Sequence, residues 1–424
     1  MTTRTMLTVT TVLAICGCEG PSYDSAGGRD DAGAARADSG PAAADGGARD
    51  SGPGVDAGAM PGVDDPSYDE IAAAEAEELG PEWRAALAER VVDYSAALRI
   101  ASLRLTGEPP SLLDIRFVAS AGDQRAAYET VIDRYLDDPR FARQMRAFFR
   151  DTFKMGGTAE LDTAPILATE LTVEDRDFTQ LFTATAGNCP TWSATTGAFA
   201  SADCDSGAPS EAGVLTNPAV MKQFSSNLGF RRVRWIQETF DCARFPTETT
   251  APIDVGGPAP YTSPWPFESI AGTTSGGRID FLDVSSVVCA NCHSTMNHIA
   301  PLVGNFDEDG MWQDSIVVTL PSEGNPPVEL GDWLPPGERT SWRLGVPAAD
   351  LPALGRAMAA DREVATCSVA RVWNFALGKG DIVTTLTVVP DAVLRTLVDD
   401  YVSSGHRLKR TIRAIFTSDD FVRF

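Results

Sequence analysis

Apolar residues recur at helical spacing near the start and the end of the folded part of the chain, and between these stretches the pattern dissolves. In DQRAAYETVIDRYLDD (residues 123–138), Tyr128, Val131, Ile132, Tyr135 and Leu136 fall on one helical face. Asp138-Pro139 interrupts the run and restarts it, with Pro at an early helical position. The next helix, RFARQMRAFFRDTF, directs Phe141, Met145, Phe148, Phe149 and Phe153 to a core and ends at Gly156-Gly157. Upstream, residues 81–107 read as one or two helices closed by Gly107. Near the C-terminus four apolar stripes follow: Leu351, Leu354 and Met358; Val369, Val372, Trp373 and Leu377, ended by Gly378; Val393, Leu394, Leu397, Val398 and Tyr401, ended by Gly405; and Ile412, Ile415 and Phe416. Stripes of this kind pack a core more often than they line a cofactor site.

The middle, about residues 156–285, is rich in Gly, Thr, Pro and Ser. Two helices, near Pro218–Leu228 and Phe230–Cys242, interrupt it. Residues 246–283 read as a long irregular connection, and 314–346, with apolar runs Ile316–Leu320 and Ser341–Val346, as a small hairpin. The fold class expected is mainly α, helical domains joined by long irregular loops. Its modules are an N-terminal helical one (67–158), a loop-rich one (159–315) and a C-terminal helical one (316–424). No repeat of fixed period is visible.

Composition changes the picture mainly at the N-terminus. The chain has 424 residues, 43% of them hydrophobic, and a formal net charge of −24. Such acidity argues against nucleic acid as a partner and opposes docking on anionic headgroups through the protein's overall charge. Arg4 and the apolar run Met6–Ile15 read as an export signal, too short to span a bilayer. The following ICGC resembles a bacterial lipobox. Cys18 fits as the lipidated residue because Gly17 is small, whereas Cys16 would place Ile15 at the cleavage position. The alternative is an ordinary secretory signal, so residues 1–18 are expected to be a leader. Residues 19–66 are dominated by Ala, Gly, Asp, Ser and Pro and read as a disordered acidic tether with a span of about 40 Å. Contact with a membrane is expected through lipid on the cysteine, placing the protein in the bacterial cell envelope, on the periplasmic or cell-surface side.

Six cysteines follow the tether: Cys189, Cys204, Cys242, Cys289, Cys292 and Cys367. An exported chain matures under oxidising conditions. If Cys289 and Cys292 serve a cofactor, Cys189 and Cys204 close the loop between them, and Cys242 and Cys367 form the long-range pair. Four cysteines allow three connectivities.

The chemistry concentrates in VVCANCHSTMNHIAP, residues 287–301. Cys289, Cys292 and His293 form CxxCH, the spacing at which two thiols add to the two vinyl groups of a haem and the adjacent imidazole ligates the iron. Competing readings are a zinc site using these residues or His298, a redox CxxC pair, and a structural disulfide. Zinc lacks a second Cys or His pair, and a redox pair lacks a thioredoxin-like surround, so haem c is the cofactor expected. Asp307 and Asp309, flanking Gly310, read as a solvated turn rather than a cation site.

With these motifs in place the chain resembles secreted cytochrome-like proteins of planctomycetes and myxobacteria. Cys289, Cys292, His293, Met296, Asn305, Phe306, Asp307 and Gly310 match that family's haem segment in register. Residues 213–242 resemble the Leu-Thr-x-Pro stretch and Arg-rich helix before it. Residues 103–153 resemble its N-terminal helical module, and 360–380 and 403–424 its C-terminal one. The resemblance spans about three quarters of the chain and implies a c-type haem without naming a substrate. Asn297 and His298 stand where the family has Asp-Pro, and Ala300 where it has glycine.

Met296 and His298 are too close to His293 to reach the opposite haem face. Met311, Met358 and His406 are far enough along the chain, and Met358 is the preferred sixth ligand because methionine suits an electron-transfer haem. Its competing role is as a core residue on the Leu351–Leu354 stripe. His298 is the alternative iron ligand, or a partner for a haem propionate, or a surface residue. The function expected is a monohaem c-type cytochrome, an electron carrier more than a catalyst, serving a redox partner protein of unknown identity. The alternatives are a non-catalytic envelope interaction protein with disulfides or structural zinc, and a haem peroxidase if the sixth position is vacant.

Overall fold

The protein is described here from a computed structural model, which covers residues 88–226, 229–242, 269–270, 278–279, 296–318, 328–330, 334, 339–380 and 389–424. It is mainly α. Helix α1 (Tyr94–Leu105) begins where the Asp93 carboxylate accepts the Ser95 and Ala96 N–H groups at 2.9 and 3.0 Å. Just before it, Val91 and Val92 are exposed and extended rather than helical. The Val91 N–H donates to the Phe424 carbonyl at 2.9 Å, and the Phe424 N–H returns the bond at 3.0 Å. Positions 91 and 424 therefore lie side by side.

Helix α2 (Leu112–Ser120) buries Asp114 and Val118 and exposes Leu112, Leu113, Ile115 and Phe117. Helix α3 (Gln124–Leu136) buries Tyr128, Val131, Ile132, Tyr135 and Leu136 on the expected face, and Ala127 with them. Helix α4 (Pro139–Phe153) is capped by Asp138 and carries Pro139 in its first turn. It ends at Lys154, in the left-handed conformation at φ +54°, ahead of Gly156-Gly157.

Helices α5 (Thr163–Val173) and α6 (Gln180–Thr183) occupy residues expected to be loop. Every residue of α5 from Ala164 to Thr172 is buried, so no polar face marks it. Asp162, just before α5, accepts from Arg146 and Arg150 of α4 and ties the two helices together. Helices α7 (Pro218–Gln223) and α8 (Phe230–Phe240) follow, the first shorter than its sequence suggested. Then come α9 (residues 296–303), α10 (Leu351–Ala360), α11 (Arg362–Leu377), α12 (Asp391–Ser403), α13 (Leu408–Thr417) and α14 (Asp419–Val422).

The strands described are four antiparallel two-residue pairs. The single hairpin expected across 314–346 is two: Val317–Val318 pairs with Val328–Glu329, and Ser341–Trp342 with Val346–Pro347. The long connection expected at 246–283 lies outside the described residues except for a pair joining Ser269–Ile270 to Arg278–Ile279.

One hydrophobic core contains side chains from Ala97 to Val422. It draws on all three expected modules, which therefore share one interior. Phe153 of α4 meets Trp235 and Phe240 of α8 edge-on, with ring centroids 6.1 and 5.7 Å apart. The Tyr128 hydroxyl of α3 donates to the Phe416 carbonyl of α13 at 2.7 Å, across a sequence separation of 288.

Candidate functional site

The site begins at α9, which follows the CxxCH sequence. Cys289, Cys292 and His293 themselves lie outside the described residues, as do Cys16, Cys18 and the tether. From Met296 onward the chain is helical and turned inward. Met296, Asn297, His298, Ile299, Ala300, Leu302 and Val303 are all buried, and His298 is only 3% exposed. Of the positions weighed for His298, the surface is thereby removed.

The C-terminal end of α9 is held by a residue that no motif singles out. Arg232 on α8 is buried, and its guanidinium donates to four main-chain carbonyls. These are Met221 at 2.8 Å, Val303 at 3.1 Å, Phe306 at 2.7 Å and Asp307 at 2.5 Å. Carbonyls at a helix end lack intrahelical donors, and the planar Arg fork can reach several at once. Burial lowers the Arg232 pKa to about 10, while the nearby Asp307 acts in the opposite direction. The available signal was the Arg-rich helix itself, but an arginine in a polar pattern does not announce burial.

The NFDEDG sequence that follows is a tight turn. Phe306 bridges Trp312 with their rings edge-on at 5.2 Å. The Asp307 carboxylate accepts from the Asp309 N–H at 3.0 Å, the Met311 N–H at 2.9 Å and the Gln313 side-chain amide at 2.8 Å. Gly310 sits at φ +80°, packed so closely on α7 that a Cβ there would collide with the Pro218 carbonyl. These donors occupy Asp307 in the turn itself. Among the described residues no group of three or more His, Cys, Asp or Glu side chains could hold a metal ion.

The distant iron-ligand candidates fall elsewhere. Met358 on α10 is fully buried, and with His406 it lines a cavity of about 10 Å³ walled by Phe178, Phe182, Ser368 and Tyr401. That is room for at most one water. His406, at φ +58°, stacks its ring edge-on against Tyr401 at 5.1 Å, and its backbone carbonyl accepts the Phe178 N–H at 3.0 Å. Burial lowers its pKa, opposed by Asp177. Met311 is exposed on the turn. Met358 is enclosed among core side chains, and His406 is partly exposed beside Asp177.

Cys189 is disulfide-bonded to Cys204, with Cα atoms 5.3 Å apart, and Cys242 to Cys367, at 5.5 Å. The second bond fastens the end of α8 to α11. Beside it, Arg343 bridges Asp241 at 3.4 Å and Asp361 at 3.2 Å. Burial pushes the Asp241 pKa up to about 7, with Arg343 opposing and Asp361 and Glu363 adding to the rise.

Among the described residues no helix is long and apolar enough to cross a membrane. No protein-family model, curated protein or solved structure matches the chain.

Proposed function

We propose that the protein is an exported, lipid-anchored monohaem c-type cytochrome that transfers electrons in the bacterial cell envelope. One observation carries this reading. Four of the six cysteines beyond the tether are consumed by Cys189–Cys204 and Cys242–Cys367, which leaves the two thiols of CxxCH as the unassigned pair in that part of the chain. The donor set then fits haem c: Cys289 and Cys292 hold the ring through thioethers and His293 ligates the iron. When bound, the haem supplies reversible one-electron chemistry. The chain's part is to fix the attachment segment, and the buried α9, gripped by Arg232, suits that task. Two disulfides favour an oxidising compartment, in keeping with the leader and lipobox. The resemblance to secreted cytochrome-like proteins points the same way. Cys18 carries the lipid in this reading, and Cys16 is the alternative.

The test is production in a host that attaches c-type haem. The denatured protein is expected to keep its Soret and α bands, and Cys289→Ala/Cys292→Ala to lose them. A colourless product whose mass equals the polypeptide alone would overturn the reading in favour of a disulfide or zinc protein. A second reading, a haem peroxidase, draws on the burial of Met358 among core side chains, which in that reading leaves the sixth position open. Cyanide binding to the ferric protein at low concentration favours it, whereas a sulfur-to-iron absorption band identifies methionine as the sixth ligand and removes it.

A further inference from the structure

Helix α2 turns its acid inward and its apolar residues outward. Leu112 and Leu113 are each 72% exposed, Phe117 46% and Ile115 36%. Asp114, the helix's single carboxylate, is buried and accepts from the Ser111 hydroxyl at 2.7 Å, Arg134 at 2.5 Å and the Tyr135 hydroxyl at 3.2 Å. At 100° per residue, the centre of the outward face is Arg116, exposed, with Leu112 and Leu113 on either side and Ile115 and Phe117 at the margins. The outer face of α2 thus carries a cation and no anion. A second guanidinium, half-exposed Arg134, lies 6.0 Å from the Phe117 ring. The nearby Glu108 is engaged by Arg140 at 2.5 Å.

We propose that α2 is a docking surface for a phospholipid bilayer. Leu112, Leu113, Ile115 and Phe117 enter the boundary between headgroups and acyl chains, and Arg116 extends toward lipid phosphates. A second copy of the chain is a poorer occupant. A nine-residue helix is about 13 Å long, and a face that size falls well short of the ~800 Å² per partner that a stable dimer buries. A bilayer needs only the wedge. The net charge of −24 opposes anionic headgroups at long range. At physiological salt, carboxylates more than ~8 Å from the lipid are largely screened, so the local face decides. A lipid on Cys18 would keep α2 near such a surface, but the docking does not depend on it.

The experiment uses the full chain with Cys16→Ser and Cys18→Ser, so that no lipid is attached. Vesicles of phosphatidylethanolamine and phosphatidylglycerol are added, and hydrogen exchange is followed peptide by peptide. Exchange at residues 112–120 is expected to slow on vesicle addition. Leu112→Ser/Leu113→Ser, at exposed positions that leave the core intact, is expected to abolish that slowing and weaken flotation with vesicles at least about tenfold. Arg116→Glu is expected to weaken it about fivefold or more. Unchanged exchange at 112–120, or equal flotation of the parent and the double variant, would overturn the proposal. Slowing that rises with protein concentration without vesicles would overturn it in favour of self-association. Lipidation is read separately from the mass of the wild-type protein, so failure of the anchor and failure of this surface are distinct results.

Discussion

The Arg232 guanidinium and the Phe306 carbonyl, 2.7 Å apart, join α8 to the turn that ends the segment following CxxCH. The same side chain also holds Met221, Val303 and Asp307. Removing it strands several carbonyls in a buried site. Arg232→Met is expected to cost about 3 kcal/mol or more of unfolding free energy. Arg232→Lys should recover less than half of that, because an ammonium cannot fork. Urea unfolding midpoints measure both, and a lysine variant within about 0.5 kcal/mol of the parent would show that the fork is dispensable.

The two disulfides close loops of very different size, with sequence separations of 15 and 125. Loop-closure entropy ranks them: about 3 kcal/mol for Cys189–Cys204 and about 5 kcal/mol for Cys242–Cys367. Paired Cys→Ser variants compared by calorimetry are expected to lose thermal stability in that order, and the reverse order would refute it.

Asp241 gives the fold a pH dependence opposite to that of a well-paired carboxylate. Its pKa is raised from 3.8 to about 7 in the folded chain, so between those values the folded state holds a proton that the unfolded state has released. Stability from this group is present in full below the unfolded pKa and is lost as pH rises through the folded one. The thermal midpoint is expected to fall between about pH 4 and pH 7 on this account, and Asp241→Asn to flatten that slope. An identical slope in the variant would exclude Asp241 as its source.

How much could be read in advance depended on whether an element had two faces. Helix α3 declared itself because Tyr128, Val131, Ile132, Tyr135 and Leu136 face inward while Asp133 and Arg134 face out. Helix α5 did not, because burial on every side erases the period that marks an amphipathic helix. Helix α2 has a period, but Asp114 occupies its inner face and leucines its outer one, which inverts the rule that pattern reading relies on. That the three expected modules contribute to one core was not legible, because contacts such as Tyr128 to Phe416 are non-local and leave no mark on either segment alone. At the site, the CxxCH spacing was plain, but the grip of Arg232 on α9 was not, since an arginine's burial is decided by what folds over it. Met358 was weighed as both ligand and core residue, and the spacing of its stripe could not separate the two. Its enclosure beside His406 and Tyr401 describes the core role.

The reciprocal hydrogen bonds between Val91 and Phe424 make the stretch from 91 to 424 a nearly closed ring. A linker of a few residues between positions 424 and 88 would circularise residues 88–424, with the Val91–Phe424 pairing already holding the joined positions together. New ends could then be opened at an exposed loop tip, such as the one between Thr191–Trp192 and Phe199–Ala200. The same closure means that residues 88–424 would need a single point of entry if they were inserted into a host protein, and so could be carried on a host loop.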